Sequence, residues 1–570
     1  MVGTGHYSNK CGTCRRRKLK CGEEKPECLR CLRAGIECDG YAKDYRWIEE
    51  GRARSRGRNS GRSAQSIPKL SPEEEDDRRK PQTRGGPRVI PRLLNTSSIP
   101  SRYSQADQSK QLLLMEYKNR PPGAQMLRNL SAFSNDVCIC FTVKRLFDDG
   151  PGILGCDHQT WLADIQKSDT TSVSYVALQC LAAAFFARMH GNLPTIMDQG
   201  AALYGQALRQ LSVRINDQTT CFDHANVSAT MTLHLYETIM YSNRSGWIEH
   251  AGGTGRLIEM RGPERHQEFP DHMYFLLCRF RIIFRSLIER KRTFLEEDKW
   301  KVLPWAKYPE TKNSMHYLQD ILCNFPGFCE DRLNIDAAAA REEDVTEQWR
   351  TLEAKLITNF RDLVRWRWQW DADNPDVAYE KPVDASTSLS VDLDGPLFES
   401  ILHFKNLNRA TELVLYNTTL QMFGHFYEDI TKKSIYGPAM SIWSPIERPL
   451  PRNPLNLPSE TLTTEDISSE ICRSVEYHLH ASHASSGGFA LMFPLRICFA
   501  GLCILSKTRE ILWVMRLCET IADSTGFELA RHMFSLKNLY NGQRINEVDN
   551  YVPPEIVALI ESKEAKMLSR

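Results

Sequence analysis

The stretch that decides the reading of this chain runs from Cys11 to Cys38: "CGTCRRRKLKCGEEKPECLRCLRAGIEC". Its cysteines are Cys11, Cys14, Cys21, Cys28, Cys31 and Cys38, spaced C-x2-C-x6-C-x6-C-x2-C-x6-C. Thiolates are soft ligands that suit Zn2+, Cu(I) or iron–sulfur clusters. A C-x2-C pair can put two sulfurs on one ion, and here the pair occurs twice, each time followed six residues later by a single cysteine. Two tetrahedral ions need eight sulfur contacts, and six cysteines supply them only if two of the sulfurs bridge. The apolar residues Leu19, Leu29, Leu32 and Ile36 are too few to hold a module of roughly thirty to forty residues by burial alone. Metal binding and folding are therefore expected to be one event. Disulfides would need an oxidising compartment, a single zinc would strand two thiols, and the spacing differs from ferredoxin runs.

Five cations, Arg15, Arg16, Arg17, Lys18 and Lys20, crowd between the second and third cysteines. Six thiolates around two Zn2+ would carry a double negative charge, which these side chains more than reverse. Arg15 to Lys20 is expected to form a short helix with Leu19 turned inward. Cations on its other faces would meet phosphates, giving salt-dependent affinity, and one or two would meet base edges. A solvated charged face or an import signal would use the same residue types. The surrounding cysteines favour contact with DNA, and the import reading is compatible with it.

The pattern C-x-x-C-R-R-R-K-L-K-C…P…C-x-x-C-x6-C over residues 11–38 resembles the fungal zinc-cluster (Zn2Cys6) transcription factors. The resemblance implies two Zn2+ per chain. Cys11, Cys14, Cys21 and Cys28 would hold one and Cys11, Cys28, Cys31 and Cys38 the other, with Cys11 and Cys28 bridging. Pro26 matches the loop proline that turns the chain between the two halves. The short helix would read CGG-like triplets, with Lys18 at the base-reading position and Arg17 as a second candidate. Arg15, Arg16 and Lys20 would contact phosphates. The resemblance further implies a nuclear transcription regulator of the RNA polymerase II type. Its partners would be double-stranded DNA and the transcription machinery or co-regulators.

The bulk numbers fit a small basic module on a large neutral body. The chain has 570 residues, 41% hydrophobic and 25% charged, with a net charge of only +2. Residues 1–65 hold sixteen Lys/Arg against eight Asp/Glu, so the remainder is mildly acidic. Such asymmetry suggests a tethered nucleic-acid contact. The opening "MVGTGHYSNK" lacks the apolar core of a signal peptide. The best membrane-span candidate, "FALMFPLRICFAGLCILS" at 489–506, carries Pro494 and Arg496 and reads as a buried helix pair, with no membrane partner. The cysteines outside the cluster read as small buried apolar residues.

The expected division is a DNA-binding module at 8–42, a disordered linker at 43–110 and a helical regulatory domain at 111–570. The linker stretch "GRARSRGRNSGRSAQSIPKLSPEEEDDRRKPQTRGGPR" is nearly empty of aromatics and cannot bury enough apolar surface to offset its ordering entropy. Beyond it the period is helical: Leu178, Leu181, Phe185; Val227, Met231, Leu235, Ile239; Leu277, Phe280, Phe284, Leu287, Ile288. Gly262-Pro263 is expected to end a helix. The fold class is mostly α, with polar loops at 371–396 and 436–466.

Within the body, "SGWIEHAGGTGRLIEMRGP", "MDQGAALYGQALRQL" and "FPLRICFAGLCIL" are similar to stretches of one class of fungal-specific transcription factor regulatory domain. Gly252, Gly253 and Gly255 read as a helix boundary, since no strand precedes them and no P-loop lysine follows. Trp247 and His250 read as packing residues. His478, His480 and His483 read as a surface trio, "WRWQW" at 366–370 as core or an inter-lobe contact, and "SVDLDGPLFESILHF" as a loop leading into a helix. No spacing for nucleophilic or metalloprotease catalysis is found, so the chain reads as a non-enzyme. A runner-up makes the body a small-molecule receptor with DNA binding as its output, which a dry helix-lined pocket would support. With no sustained heptad, monomeric binding and a homodimer through the helical body both stay open.

Overall fold

The structure is a computed structural model. It describes residues 12–17, 20, 21, 28–34, 36 and 38 of the N-terminal module, some in backbone only. In the body it describes 134–147, 165, 168–436 (except 244, 387 and 393), 453–458, 462–534 and 552–568. The expected linker at 43–110 and most of the expected loop at 436–466 lie outside the described residues. The chain divides into two compact units, residues 1–120 and 121–570.

The first unit shows two one-turn helices, α1 (Gly12–Arg16) and α2 (Leu29–Arg33). Helices this short are unstable alone, because the cost of nucleation exceeds what one turn returns. What fixes them here is the packing of Cys14, Cys21, Cys28 and Cys31, with Cys38 half-buried against them.

The second unit is helical, as expected. Its first helices are α3 (Ser134–Phe147), α4 (Val173–Met189), α5 (Pro194–Asn216), α6 (His224–Met240), α7 (Gly246–Arg261) and α8 (Asp271–Glu289). The alanine- and leucine-rich α4 is buried almost all round, with α3, α5 and α6 packed on it. Ser172 starts it by accepting the Tyr175 N–H at 3.3 Å. A Cβ on Gly200 of α5 would approach the Ala184 nitrogen to 3.3 Å, so α4 and α5 meet nearly backbone to backbone. The periodic residues predicted from the sequence lie on α4, α6 and α8. Gly262 then ends α7 with φ +75°, a conformation that costs glycine little, and Pro263 follows.

Gly252, Gly253 and Gly255 depart from expectation, since they lie inside α7 rather than at its boundary. The reason is the neighbour: a Cβ at Gly252 would overlap the Arg285 guanidinium of α8, and one at Gly255 would touch Ile282 at 3.5 Å. These glycines let α7 lie close against α8.

After short helices α9 (Asp298–Val302), α10 (Ser314–Leu322) and α11 (Phe325–Ala339), the long α12 (Thr346–Asp373) crosses onto α13 (Leu407–Thr431). The segment 371–396 is not a plain loop. It opens with the end of α12 and then forms β1 (Ala378–Pro382), β2 (Val391–Asp392) and β3 (Gly395–Pro396). β1 pairs antiparallel with β4 (Ser400–Phe404), and β2 pairs with β3. Ala378 is buried while the rest of β1 is exposed, and Ile401, Leu402 and Phe404 of β4 are buried, so β4 lies inside and β1 is largely exposed. "SVDLDGPLFESILHF" thus leads through β4 into α13.

The chain closes with α14 (Thr464–Arg473), α15 (Val475–His478), α16 (Ala484–Ile504), α17 (Thr508–Thr525), α18 (Glu528–His532) and α19 (Pro554–Leu568). The expected helix pair at 489–506 is one helix, α16, running through Pro494 and stopping before Ser506, whose φ is +54°. It is long and apolar enough to cross a membrane, and 67% of that window is buried inside the fold. α13, α14, α17 and α3 pack around it.

One apolar core runs through the unit, from Cys138 on α3 to Ile560 on α19. Polar pins cross it. Ser314 on α10 donates to Glu412 on α13 at 2.5 Å, and the Trp366 indole on α12 donates to the Ser314 carbonyl at 2.8 Å. Trp366, Trp368 and Trp370 are all buried, as a core reading of "WRWQW" predicts. Arg367 fills the space between the Trp370 and Tyr416 rings, 5.4 and 5.3 Å from their centres, and pairs with Asp371.

Candidate metal centre and nucleic-acid interface

The N-terminal site is built from backbone turns that bring distant cysteines together. α1 presents Thr13 and Cys14 inward and Arg16 outward, with Arg17 exposed just beyond it. The Arg17 N–H donates to the Thr13 carbonyl at 3.1 Å. α2 begins one residue after Cys28 and turns Cys31 inward and Arg30 and Arg33 outward.

The sulfurs of Cys14, Cys28 and Cys31 all lie within 4.8 Å of one another, and all three residues are buried. The Cys14–Cys28 separation is 3.7 Å and the Cys14–Cys31 separation 3.9 Å. With Zn–S bonds of about 2.3 Å, the edge of a tetrahedral zinc thiolate site is about 3.8 Å. The Cys14 and Cys28 sulfurs thus stand at the spacing of two thiolates on one such ion, with the Cys31 sulfur close beside them. Cys28 is at the centre: its sulfur accepts the Cys31 N–H at 3.4 Å, while its own N–H donates to the Cys38 sulfur at 3.4 Å. Such bonds drain negative charge from thiolates and fix their orientation, the outer-shell task at metal sites. Cys21 is buried beside them. Cys11 lies outside the described residues, as does Pro26.

Of the five cations predicted to meet DNA, Arg16, Arg17 and Lys20 are exposed. Arg15 is on α1, where only its backbone is described. Lys18 lies outside the described residues. The sequence reading missed Arg30 and Arg33, two further exposed cations on α2. The visible signal was their place beside Cys31 in the second C-x2-C unit.

In the body, the singled-out histidines are not gathered into a site. His478 is fully buried, against the expectation of a surface trio. Its Nδ1 faces the Ser474 carbonyl at 2.8 Å, and burial pushes its pKa down to about 4. His480 is exposed and His483 half-buried. Trp247 and His250 pack as expected: the indole stacks on Phe284 at 5.6 Å, and His250 Nε2 pairs with the Tyr204 hydroxyl at 2.9 Å. Nine of the scattered cysteines are buried, while Cys140 is exposed and Cys221 half-exposed. Cys156 lies outside the described residues. A cleft of about 710 Å³ opens between α11 and α12, with Phe328, Asn324 and Asn359 on its floor and Glu347, Arg350 and Lys355 on its rim. It is open and charged, unlike the dry pocket that a receptor reading asks for.

Comparison with known proteins agrees with the geometry. Residues 10–47 match the family of the fungal Zn(2)-Cys(6) binuclear cluster domain, and residues 133–322 match the fungal specific transcription factor domain. An uncharacterized protein of Emericella nidulans is 26% identical over 140 residues, 25% of this chain and 30% of that protein. The pestheic acid cluster transcriptional regulator 3 of Pestalotiopsis fici is 31% identical over 93 residues, 16% of each chain. The aspercryptin biosynthesis cluster-specific transcription regulator of Emericella nidulans is 54% identical over 37 residues, 6% of each. The chain thus spans less than a third of the length of these relatives. No solved structure matches it. The chain thus carries a match to the fungal Zn(2)-Cys(6) binuclear cluster domain at its N-terminal end and one to the fungal specific transcription factor domain on the first helices of its body.

Proposed function

We propose that the protein is a nuclear, sequence-specific DNA-binding regulator of RNA polymerase II transcription that reads CGG-like triplets. Two Zn2+ are held by Cys11, Cys14, Cys21, Cys28, Cys31 and Cys38, with Cys11 and Cys28 as bridges. The ions supply the cross-links that a module without an apolar core lacks. The carrying observation is the cluster of buried sulfurs, with Cys14 and Cys28 at the spacing of two thiolates on one zinc, beside a short helix with exposed Arg16 and with Arg17 exposed just beyond it. Lys18 reads a base, with Arg17 second. Arg15, Arg16 and Lys20 hold phosphates. Residues 8–42 form the DNA-binding module, 43–110 the linker that sets its reach, and 111–570 the regulatory body. That body receives co-regulators and offers the surface for a homodimer. One small module makes few base contacts, so tight specificity calls for a second module.

Binding-site selection with the full chain, with and without a zinc chelator, tests the reading. A CGG-containing site lost on chelation is the expected result. Lys18→Ala should relax preference within the triplet, whereas Lys20→Ala should weaken all duplexes and reduce the salt slope by about one. An unchanged preference in Lys18→Ala would remove it as base reader.

A further inference from the structure

Arg30 sits between Cys28 and Cys31, in the second half of the cysteine repeat, yet its side chain reaches into the first half. Its Nη1 donates to the Lys20 carbonyl at 3.2 Å. Lys20 directly precedes Cys21, so this carbonyl belongs to the stretch that carries the chain from α1 to its third cysteine. The helix has already ended there: the last described α1-type bond runs from the Arg17 N–H to the Thr13 carbonyl. α2 is held in turn, through the Cys31 N–H on the Cys28 sulfur and the Ala34 N–H on the Arg30 carbonyl. The guanidinium is a planar donor fork, well suited to fix one backbone oxygen.

Resting on the DNA-reading function proposed above, we infer that Arg30 is a positioning residue for that contact. It ties the exit of α1 to α2 and so sets the angle at which the α1 cations meet the duplex. The role is separate from the charge Arg30 carries. A phosphate contact would contribute to affinity on every duplex, whereas a backbone tie contributes to discrimination between duplexes.

The test uses the full-length, zinc-loaded protein and two variants. Arg30→Gln keeps a hydrogen-bond donor without the charge. Arg30→Met removes both at similar length. Zinc content per chain, dissociation constants for the selected site and for a scrambled duplex, and the salt slope are measured. Arg30→Met is expected to keep its zinc and to lose about fivefold in the ratio between the two duplexes, the effect of one exposed hydrogen bond. Arg30→Gln should restore most of that ratio. Equal losses on both duplexes in both variants, with the ratio unchanged, would make Arg30 a plain charge and overturn the inference. Absence of zinc-dependent binding by the unmodified protein would instead overturn the function itself.

Discussion

Replacing single cysteines by serine separates a bridging sulfur from a terminal one. The Cys28 sulfur is fully buried, 3.7 Å from that of Cys14, and it accepts the Cys31 N–H. In the proposed arrangement Cys28 would serve two ions, whereas Cys14 would serve one. Structural zinc is worth about 10–16 kcal/mol for four ligands, or roughly 3–4 kcal/mol per thiolate. Cys14→Ser should therefore cost about two to three decades of zinc affinity, and Cys28→Ser about four to six, at 1.4 kcal/mol per decade. Competition against a chromophoric chelator, with zinc counted per chain, measures both. Far-ultraviolet circular dichroism of the full chain should barely change, because most helices lie in the body. Equal zinc loss in the two variants would refute a bridging Cys28. Retention of two ions at unchanged affinity in Cys28→Ser would remove Cys28 from the ligand set altogether.

Two glycines in the body should respond oppositely to alanine. At Gly487 a Cβ would collide with the His478 backbone carbonyl, which cannot swing aside, so Gly487→Ala should destabilise by about 3 kcal/mol or more in urea unfolding. At Gly252 the obstacle is the Arg285 side chain, half-exposed and paired with Glu289 at 2.7 Å. It can move, and alanine gains about 1 kcal/mol of helix propensity, so Gly252→Ala should be near neutral. Acid should unfold the body through its buried histidines. Burial pushes His234 and His316 down to about 3, and His250, His266, His425 and His478 to about 4. Their unfolded values are near 6.5, so the unfolded chain binds more protons below that pH. Stability is full above pH 6.5 and falls as pH drops toward 4, by up to about 1.4 kcal/mol per pH unit for each histidine. His425→Gln should make denaturant midpoints less steep between pH 6.5 and 4.5, and an unchanged slope would contradict its burial as a neutral group.

The N-terminal site was legible because ligand chemistry is local: the type and spacing of the cysteines point to a thiolate metal site before any fold is known, and Cys14, Cys28 and Cys31 do gather. The body's helices were legible where apolar residues recur at three and four positions, as at Leu178, Leu181 and Phe185. What escaped depends on partners far away in sequence. Gly252 looks like a breaker until Arg285 of the next helix occupies the space. His478 looks like a surface residue until Thr411 and the Ser474 carbonyl close around it. The strands at 378–404 escaped because each is too short to show a period, and only their pairing makes them strands.

The continuous core from α3 to α19 bears on how this protein can be cut. The regulatory-domain match ends at residue 322, at the last residue of α10. That boundary is not a folding boundary. The Trp366 indole of α12 donates to the Ser314 carbonyl of α10, Ser314 donates to Glu412 of α13, and Arg188 of α4 pairs with Glu528 of α18. A fragment ending at 322 would lay bare Phe280 and Phe284, which pack on Phe493 of α16, and strand the Arg188 cation. Deletion mapping of transcriptional activity across that point would measure aggregation and turnover of a broken core. Point substitutions on exposed positions are the sound way to find which surface carries the proposed partner contacts.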